Sequence, residues 1–284
     1  MQCSSLWYTR FMLVTVDTGG TKTLVASFSE DGEPGLMVKF PTPPTTREYV
    51  KVLTETLLEQ YGDKSVDALV IAIPGIIKDG VAVWCNNLGW TNFDVATAFK
   101  GVLGDAPVLV ENDANLAGLA EARSLKILPR FVLYVTVSTG VGTGAIVNGR
   151  IDPTLQHGQG GLTLLEYDGS MHQWEKFASG RAIYRIYHKF GRDIHNKRTW
   201  RHIADRISRG FLALTPMLQP DVIIIGGSMG VFFDQYSEPL NDILKKKMPP
   251  HIPIPKIIQA KHPEQAVIYG CYYYALDYFT DTAS

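Results

Sequence analysis

The segment Asp17–Lys22 carries residue types that suit phosphate binding. It reads Asp-Thr-Gly-Gly-Thr-Lys and directly follows the apolar run Phe11–Val16. Adjacent glycines permit backbone conformations that other residues resist, threonine hydroxyls can donate to phosphate oxygens, and an aspartate at a strand end can orient a metal-bound water. An ordinary hairpin turn could have the same composition, so this motif alone leaves both interpretations open.

Two further glycine turns follow apolar runs later in the chain. Ser138–Gly144 comes after Phe131–Val137, and Gly226-Gly227 ends the run that begins at Asp221. Each turn would present main-chain N–H groups at the carboxyl end of a strand, where open α/β sheets bind ligands. None matches the P-loop or the dinucleotide-binding fingerprint. Together the three turns predict contacts to two phosphates and a nucleoside.

The elements that must position these turns are predicted from the hydrophobic pattern. Phe11–Val16 and Thr23–Ser29 predict two antiparallel strands around the Gly19-Gly20 turn. The order of strand, glycine turn and strand recurs at residues 131–147, which indicates a weak internal duplication. The other apolar runs predict strands at 67–73, 81–84 and 108–110, and helices at 46–60, 174–188, 200–218 and 264–279.

Composition restricts the class of protein. The chain has 284 residues, of which 45% are hydrophobic, and a formal net charge of −1. Its lysines and arginines are spread along the chain, so we expect no nucleic-acid partner. Cys3, Cys85 and Cys271 are far apart and form no CxxC pair, which argues against a disulfide framework. No apolar run approaches the length of a membrane span, so we expect a cytoplasmic globular protein.

In this order and at these separations, the motifs resemble the ROK family of repressors and sugar kinases. The matching segments are Asp17–Lys22, Glu111–Asn115, Ser138–Gly144 with Asn148-Gly149, and Asp221–Gly227. The resemblance implies an α/β protein with the actin-like ATPase (ribonuclease H-like) fold, in which ATP and sugar meet in a cleft between two lobes. It implies a smaller lobe of residues 11–117 plus the C-terminal helix 264–280, and a larger lobe of residues 118–263.

Asp113 is the candidate catalytic residue. A sugar hydroxyl is a poor nucleophile near neutral pH, so its phosphorylation needs a carboxylate that accepts the proton. Asp113 lies where the apolar run 108–110 gives way to a helical pattern, and it matches the general base of the family. Asn112 beside it can donate and accept hydrogen bonds at once, which suits a sugar hydroxyl. The alternative is that Asp113 or Asn115 only caps the following helix.

Two more sugar contacts are implied by the resemblance. The stretch Asn86–Trp90 is similar to the sugar-binding loop of the family, in which Asn87 would contact ring hydroxyls. Glu175 matches a family glutamate that binds the sugar near its anomeric end. From the residues alone, Asn86–Trp90 is only a turn, and Glu175 is only a solvated position on a helix.

The sugar side also departs from the family. Members usually carry Gly-Glu-Ile-Gly-His and then a cysteine cluster that completes a zinc site, whereas this chain reads Gly-Gln-Gly-Gly-Leu at 158–162. One alignment puts Gln159 at the glutamate and Leu162 at the histidine, and a shift of two residues puts Gly161 and Leu164 there. The histidine is lost either way. Gln159 would keep the acceptor oxygen without the charge, so sugar affinity or preference should differ.

Structural zinc is not expected. Residues 166–173 replace the cysteine cluster, and carboxylates with one histidine are a poor substitute for thiolates. His157 and His172 could instead be sugar ligands, although a lone histidine in a polar loop is more often simply exposed.

The resemblance implies ATP and Mg²⁺ on the donor side. Asp17 would orient Mg²⁺ through water, and Gly226 and Gly227 would border the adenosine. The remaining donor-side residues would surround the phosphates: Gly19, Gly20, Thr21 and Lys22 at the terminal phosphates, and Thr139, Gly140 and Gly142 at the transferring end.

The sequence therefore predicts an ATP-dependent hexose kinase with glucose as the favoured substrate. A kinase for another hexose or an N-acetylhexosamine, or one that uses polyphosphate, is the alternative. A sugar-responsive regulator is disfavoured, because Asp113 is retained and only ten residues precede the first strand. The expected partners are a small sugar and, by resemblance, a second copy of the chain.

Overall fold

The structure is a computed structural model that describes residues 11–262 and 265–283. It divides into two compact units, Met1–Asp113 with Cys271–Ser284, and Ala114–Gly270. Cys3 and Glu264, the residue at which the last helix was predicted to begin, lie outside the described residues. In the part of the chain that is described, no helix is long and apolar enough to span a bilayer.

The first unit is built on a five-stranded sheet of order β3-β2-β1-β4-β8. The β1, β2 and β3 strands are antiparallel, whereas β4 and β8 run parallel to β1. A separate three-stranded sheet is formed by β5, β6 and β7. The elements are β1 (Met12–Thr18), β2 (Lys22–Ser29), β3 (Pro34–Pro41), α1 (Thr46–Tyr61), β4 (Ala68–Ile73), β5 (Ile76–Lys78), β6 (Val81–Cys85), β7 (Trp90–Asp94), α2 (Val95–Phe99) and β8 (Val108–Asn112).

The second unit has a sheet of order β11-β10-β9-β14-β15 and a small hairpin of β12 and β13. The chain continues from β8 with α3 (Asp113–Arg123), β9 (Phe131–Val137), β10 (Val141–Val147), β11 (Arg150–Ile151), β12 (Leu164–Tyr167), β13 (Ser170–Gln173), α4 (Glu175–Ala178), α5 (Gly180–Tyr187), α6 (Lys197–Leu218), β14 (Val222–Gly226), α7 (Gly227–Gly230), α8 (Phe233–Lys247), β15 (Lys256–Gln259) and α9 (Ala266–Thr282).

The two sheets have the same topology. In each, an antiparallel hairpin (β1–β2 or β9–β10) is followed by two strands parallel to its first strand. Because the hairpins enclose the first two glycine turns, those turns occupy equivalent positions in the two sheets. The internal duplication predicted from the repeated pattern is confirmed.

Each unit has its own apolar core. The helix α1 buries Tyr49, Leu53 and Leu57 at intervals of four residues, and it begins at a capping box in which the Glu48 N–H donates to the Thr45 hydroxyl at 3.2 Å. In the second unit, α6 buries a stripe of apolar side chains from Trp200 to Leu214. Burial of each large apolar side chain stabilises the fold by roughly 1.5–3 kcal/mol.

The helix predicted at 174–188 is two helices. Ser179 is extended, with φ −68° and ψ 159°, and its hydroxyl accepts the N–H of Ala182 at 3.2 Å, so it ends α4 and caps α5. The Gly180 N–H donates to the Ser138 carbonyl oxygen at 2.7 Å instead of continuing a helix. The prediction of one continuous helix was wrong, because the apolar spacing on which it rested gives no sign of the cap at Ser179.

The predicted glycine turn at 138–144 is shorter than expected, because β10 begins at Val141. A Cβ atom at Gly144 would lie 2.5 Å from the Ala114 carbonyl oxygen, and one at Gly142 would lie 3.1 Å from the Ala114 Cβ. These glycines are therefore strand residues that let the first turn of α3 approach β10. The sequence did not distinguish this packing role from a turn.

Gly144→Ala should destabilise the fold by about 1–3 kcal/mol, because the added methyl group meets a backbone oxygen that cannot move alone. The matched control is Gly20→Ala, whose Cβ would lie 3.8 Å from its nearest neighbour and whose backbone is not left-handed. Thermal melting followed by circular dichroism should show a fall of several degrees for Gly144→Ala alone. Equal melting temperatures for both variants would contradict the close approach.

Candidate active site

The turn between β1 and β2 closes tightly around Gly19. Its N–H donates to the Lys22 carbonyl oxygen at 3.0 Å, and its own carbonyl oxygen accepts the Thr42 hydroxyl at 2.7 Å. A Cβ at Gly19 would lie 2.9 Å from the Lys22 oxygen, so the turn itself requires glycine. Gly20, Thr21 and Lys22 are exposed at the tip, where they can meet a ligand.

Two carboxyl groups lie close together beside this turn. Burial raises the pKa of Asp17 from its ordinary 3.8 to about 7, with a further rise from the negative charge of Asp113 and an opposing effect of Lys39. Burial, and again Asp113, raises the pKa of the Cys85 thiol to about 12. Because two acids in a poorly solvated site favour a nearby cation, their chemistry fits a hydrated Mg²⁺ at Asp17.

The end of β8 fixes Asn112 and leads into Asp113. The Asn112 side chain is 6% exposed and donates to the Gly75 carbonyl oxygen at 2.8 Å, while its main-chain N–H donates to the Glu111 carboxylate at 2.7 Å. Asp113 is the half-buried first residue of α3. The strand-to-helix junction predicted for Asp113 is therefore present, and the Asn112 amide is held in one orientation.

Asn87 is exposed in the turn between β6 and β7. A Cβ at Gly20 would lie 3.8 Å from the Asn87 Cβ, so the predicted sugar loop and the first phosphate turn are adjacent. Trp90, in the same loop motif, is only 4% exposed, packs on Tyr49 with ring centroids 4.8 Å apart and donates its indole N–H to Pro44. Trp90 therefore supports the loop from the core.

In the second unit, the turn between β9 and β10 carries Thr139 and Gly140. Thr139 is exposed, and the Ser138 N–H donates to the Gly140 carbonyl oxygen at 2.9 Å. A Cβ at Gly140 would lie 2.8 Å from Oε2 of Glu175, whose other carboxylate oxygen, Oε1, lies 3.2 Å from the Lys176 Nζ. Glu175 therefore lies beside the predicted phosphate turn. The sequence analysis assigned Glu175 only a contact to the sugar and did not predict this neighbour.

The segment that replaces the family's glutamate and histidine packs on β10. The Gly160 N–H donates to the Thr143 hydroxyl at 3.1 Å, and a Cβ at Gly161 would lie 2.0 Å from the Val141 carbonyl oxygen. Gln159, which directly precedes Gly160, is half-buried. On its other side, Asn115 holds the upstream loop by donating to the Gln156 carbonyl oxygen at 2.8 Å. The backbone around Gln159 is therefore anchored on both sides.

The two candidate histidines are exposed. His157 lies 3.5 Å from the Gln156 amide, measured from ring nitrogen to nitrogen, and His172 lies on β13. Across residues 11–262 and 265–283, no group of three or more His, Cys, Asp or Glu side chains is arranged to hold a metal ion.

Gly226 and Gly227 end β14 under tight packing constraints. A Cβ at Gly226 would lie 2.1 Å from the Tyr134 hydroxyl, and Gly227 has φ +76°. Thr136 lies against both Gly227 and Gly142, with its Oγ1 2.5 Å and its Cγ2 2.9 Å from the respective Cβ positions. The glycines predicted for adenosine and for phosphate therefore meet around one threonine.

The structure brings predicted site residues together in separate small sets. In the first unit, Asp17 lies close enough to Asp113 for their charges to interact, and Gly20 lies beside Asn87. In the second unit, Gly140 lies beside Glu175, and Gly142 and Gly227 both lie beside Thr136. Sequence reasoning missed the three supporting residues Lys39, Thr42 and Thr136. Nothing in the sequence indicated the roles of Thr42 and Lys39, because both residues lie outside the Asp17–Lys22 motif that they support.

A sequence model of the ROK family matches residues 13–277. Among curated relatives, N-acetylmannosamine kinase from Citrobacter koseri is 32% identical over 60% of this chain and 62% of its own length. Polyphosphate glucokinase from Mycobacterium tuberculosis is 28% identical over 69% of this chain and 68% of its own length. The chain therefore aligns to less than two thirds of the first of these relatives.

A solved structure shares the fold over almost the whole chain. The ROK family glucokinase from Streptomyces griseus, crystallised with glucose and AMPPNP, superposes with a TM-score of 0.78 and 21% identity, covering 94% of this chain and 99% of its own. The predicted α/β, actin-like ATPase fold is confirmed.

Replacement of Asp17 should change how stability depends on pH. Its folded-state pKa lies above the ordinary value, so the folded protein binds more protons than the unfolded chain between about pH 4 and 7, and stability falls as pH rises through that window. Asp17→Asn should therefore be more stable than wild type at pH 8, by roughly 2–4 kcal/mol, and should differ little at pH 4.

Thermal melts from pH 4 to 8 without divalent cations measure this difference. Asp79→Asn is the control, because Asp79 is exposed and asparagine tolerates its left-handed backbone, φ 50°. Parallel pH profiles for wild type and Asp17→Asn would show that Asp17 ionises normally.

Proposed function

Because this chain belongs to the ROK family, we propose that it is a sugar kinase that transfers the terminal phosphoryl group of ATP to a hexose, with glucose as the favoured acceptor and glucose 6-phosphate as the product. The observation that carries this proposal is that Asp17 interacts with Asp113 in the first unit, while Gly20 of the turn that follows Asp17 lies beside Asn87. A proton acceptor, a phosphate turn and a hydroxyl-binding amide are the three groups that phosphoryl transfer to a sugar needs.

Asp113 is proposed to accept the proton of the attacking sugar hydroxyl. As that oxygen bonds to the γ-phosphorus, the bond from phosphorus to the β,γ-bridging oxygen breaks, and its electron pair leaves with ADP. Asp113 suits this role because it begins α3 at a strand end and is only half-buried. Asn112 and Asn87 would hold sugar hydroxyls, Asn112 from the orientation that Gly75 imposes.

Phosphate oxygens of the donor are the proposed ligands of the glycine turn in each unit. The exposed Thr21 and Lys22 would bind terminal phosphate oxygens, and Thr139 with Gly140 would hold the transferring end. Gly226 and Gly227 would let the adenosine approach the end of β14. Mg²⁺, oriented through water by Asp17, would supply positive charge that offsets the charge of the phosphates.

The identity of the acceptor sugar is the more specific part of the proposal. The chain is similar both to an N-acetylmannosamine kinase and to a glucokinase, so an N-acetylhexosamine is the alternative acceptor and polyphosphate the alternative donor. Gln159 and Glu175 are the proposed contacts that would distinguish acceptors. Glu175 is 17% exposed and paired with Lys176, so its carboxylate remains near the transfer end of the site.

The family resemblance also supports a homodimer and a cytoplasmic location, and we propose both. Multi-angle light scattering of the purified protein tests the dimer directly. A monomer at micromolar concentration would refute it.

The test of the function is an ATP-coupled assay across glucose, mannose, galactose, N-acetylglucosamine and N-acetylmannosamine. We expect turnover with at least one, and the highest kcat/KM with glucose. A higher kcat/KM with an N-acetylhexosamine than with glucose would replace the proposed acceptor and leave the proposed kinase activity unchanged. Sugar binding with no phosphorylation of any acceptor would refute the kinase and favour a sugar-responsive regulator.

Asp113→Asn should lower kcat by about 10²–10⁴-fold, because an amide cannot accept the hydroxyl proton, while sugar affinity stays nearly unchanged. Steady-state kinetics and calorimetric sugar binding measure the two effects separately. The control Asp79→Asn, an exposed acid in the β5–β6 turn, should keep full activity. Normal kcat in Asp113→Asn would show that another group is the base.

Gln159→Glu should lower the KM for the sugar by about tenfold with a smaller effect on kcat, because an ionised acceptor makes the stronger hydrogen bond to a hydroxyl. Gln156→Glu is the control, since it adds the same charge three residues away, at a residue whose carbonyl oxygen accepts from Asn115 and whose side-chain amide lies beside the exposed His157. An equal effect of the two substitutions would indicate a general charge effect and would remove Gln159 from the site.

A further inference from the structure

A run of basic side chains lies on α5, on the loop after it and on the first turn of α6. Residues 181–201 contain seven of the 27 lysines and arginines of the chain and one acid, Asp193. We call these seven residues the basic strip, and all of them are exposed: Arg181, Arg185, Lys189, Arg192, Lys197, Arg198 and Arg201. All belong to the second unit. Positive charge is therefore concentrated on one segment of a chain whose formal net charge is −1.

The charges of the basic strip are almost unneutralised. Arg192 lies 3.9 Å from the Asp193 carboxylate, from Nε to Oδ1, with both side chains exposed. Arg185 donates to the Lys176 carbonyl oxygen at 2.8 Å, which carries no formal charge. Among described residues, the other five cations have no acidic partner within ion-pair distance. Exposed cations at this density attract a surface that carries many negative charges.

Exposed apolar side chains lie among these cations. Tyr184, Ile186 and Phe190 are 44%, 37% and 55% exposed. Tyr184 follows Arg181 by three residues and therefore shares its face of α5. The rings of Tyr184 and Phe190 pack with centroids 4.6 Å apart, and the Arg192 guanidinium lies 5.3 Å from the Phe190 centroid. Cationic and apolar groups therefore form one exposed surface.

The loop that carries Phe190 is held against the core. A Cβ at Gly191 would lie 2.5 Å from the Phe232 ring, and the Trp200 indole N–H donates to the Ile194 carbonyl oxygen at 3.0 Å. Ile194 and Trp200 are both buried. Because these contacts fix the loop beside the start of α6, the exposure of Phe190 is a property of the fold.

The combination of charge and apolar surface fits an anionic lipid bilayer. At a bilayer surface, cations meet the lipid phosphates while neighbouring apolar side chains enter the boundary between headgroups and acyl chains. Bases of a single-stranded nucleic acid would instead need open aromatic faces. Here the rings of Tyr184 and Phe190 pack on each other at an interplanar angle of 30°, and Ile186 has no ring.

A second copy of the chain is a poor occupant of the same surface. In a two-fold symmetric contact, the basic strip would face its own copy. Seven cations on each side would then repel one another. Anionic lipid has the opposite charge, so it neutralises the strip.

We propose that the basic strip, together with Tyr184, Ile186 and Phe190, docks this protein reversibly on a bilayer that contains anionic phospholipid. The cations lie at the lipid phosphates, and the three apolar side chains enter the interfacial layer. This mode of binding needs no membrane-spanning segment. It goes beyond the proposed kinase activity and does not depend on it. The negatively charged cytoplasmic leaflet is the surface that matches the proposed location.

The test is co-sedimentation of the full-length protein with large unilamellar vesicles at several salt concentrations. One set of vesicles contains phosphatidylcholine alone, and the other contains equal parts of phosphatidylcholine and phosphatidylglycerol. Binding of single-stranded RNA at the same phosphate concentration is measured in parallel.

Two matched pairs of variants separate the effect of charge from that of apolar surface. The charge variant is Arg181→Gln, Lys189→Gln, Arg198→Gln and Arg201→Gln. Its control removes four exposed cations elsewhere: Arg47→Gln, Lys51→Gln, Lys78→Gln and Lys126→Gln. The apolar variant is Ile186→Ser with Phe190→Ser. Its control is Leu164→Ser with Met171→Ser, which removes exposed apolar side chains from the β12–β13 hairpin of the same unit.

Wild type should bind the anionic vesicles and not the neutral ones, with an affinity that falls as salt rises. The charge variant should bind anionic vesicles at least about tenfold more weakly, because each cation near the surface contributes separately. The apolar variant should bind them about three- to tenfold more weakly, and its affinity for RNA should equal that of wild type. Both controls should behave as wild type.

A further variant reports insertion directly and does not depend on the stability of the serine variants. Phe190→Trp should add tryptophan fluorescence that brominated acyl chains in anionic vesicles quench. Circular dichroism melts verify that each variant is folded. Unquenched fluorescence from the added tryptophan would contradict the insertion of this side chain.

Four results would overturn the inference. Wild type could fail to bind anionic vesicles, or it could bind neutral vesicles equally well. The charge variant could lose no more affinity than its control. RNA could bind more tightly than the vesicles with no effect of the apolar variant on either ligand, which would mark a nucleic-acid surface. A change of oligomeric state in the charge variant, measured by light scattering, would place the strip at a contact between copies.

Discussion

The first turn of α3 packs so closely on β10 that a Cβ at Gly144 would collide with the α3 backbone and one at Gly142 would be crowded by the Ala114 side chain. Gly142 and Gly144 would each bring a Cβ into Ala114, at 3.1 Å from its Cβ and 2.5 Å from its oxygen. Asp113 immediately precedes Ala114, and Asn115 follows it and holds the loop before Gln159. One backbone approach therefore fixes the helix that begins with the proposed base, the strand after the predicted phosphate turn, and the segment predicted to differ from the family's sugar contacts.

The same constraint explains which parts of the fold the sequence predicted. Apolar periodicity is a local signal, and it identified the β1–β2 hairpin, α1 and the duplicated arrangement of β9 and β10. Gly142 and Gly144 were assigned to a turn because their reason lies in another element. Ser179 was missed because a single capping hydroxyl outweighs the apolar spacing on either side of it. The packing role of Gly142 and Gly144 was missed because its cause is tertiary, whereas the cap at Ser179 is a local signal that the apolar spacing does not contain.

A similar division holds within the candidate site. Motif residues such as Gly19 and Gly227 were recognisable because backbone geometry favours glycine at these positions. Thr42, Thr136 and Lys39 were not, because they contact the motifs from other strands or other positions.

The predicted donor-side glycines and the predicted acceptor-side side chains tolerate substitution differently. This difference bears on why the donor-side motifs resemble the family more closely than the acceptor-side ones. At Gly19, Gly144 and Gly226, a side chain would collide with backbone or a buried ring, so substitution disrupts the fold as well as the site. Asn87 is exposed and Gln159 is half-buried, so either can be exchanged with little effect on packing. Because the backbone around Gln159 is anchored by Gly160 and Gly161, a new side chain there inherits a fixed position. On the proposed assignment of Gln159 as a sugar contact, a change of sugar preference needs only a change of this side chain, and the glycine turns can remain as they are.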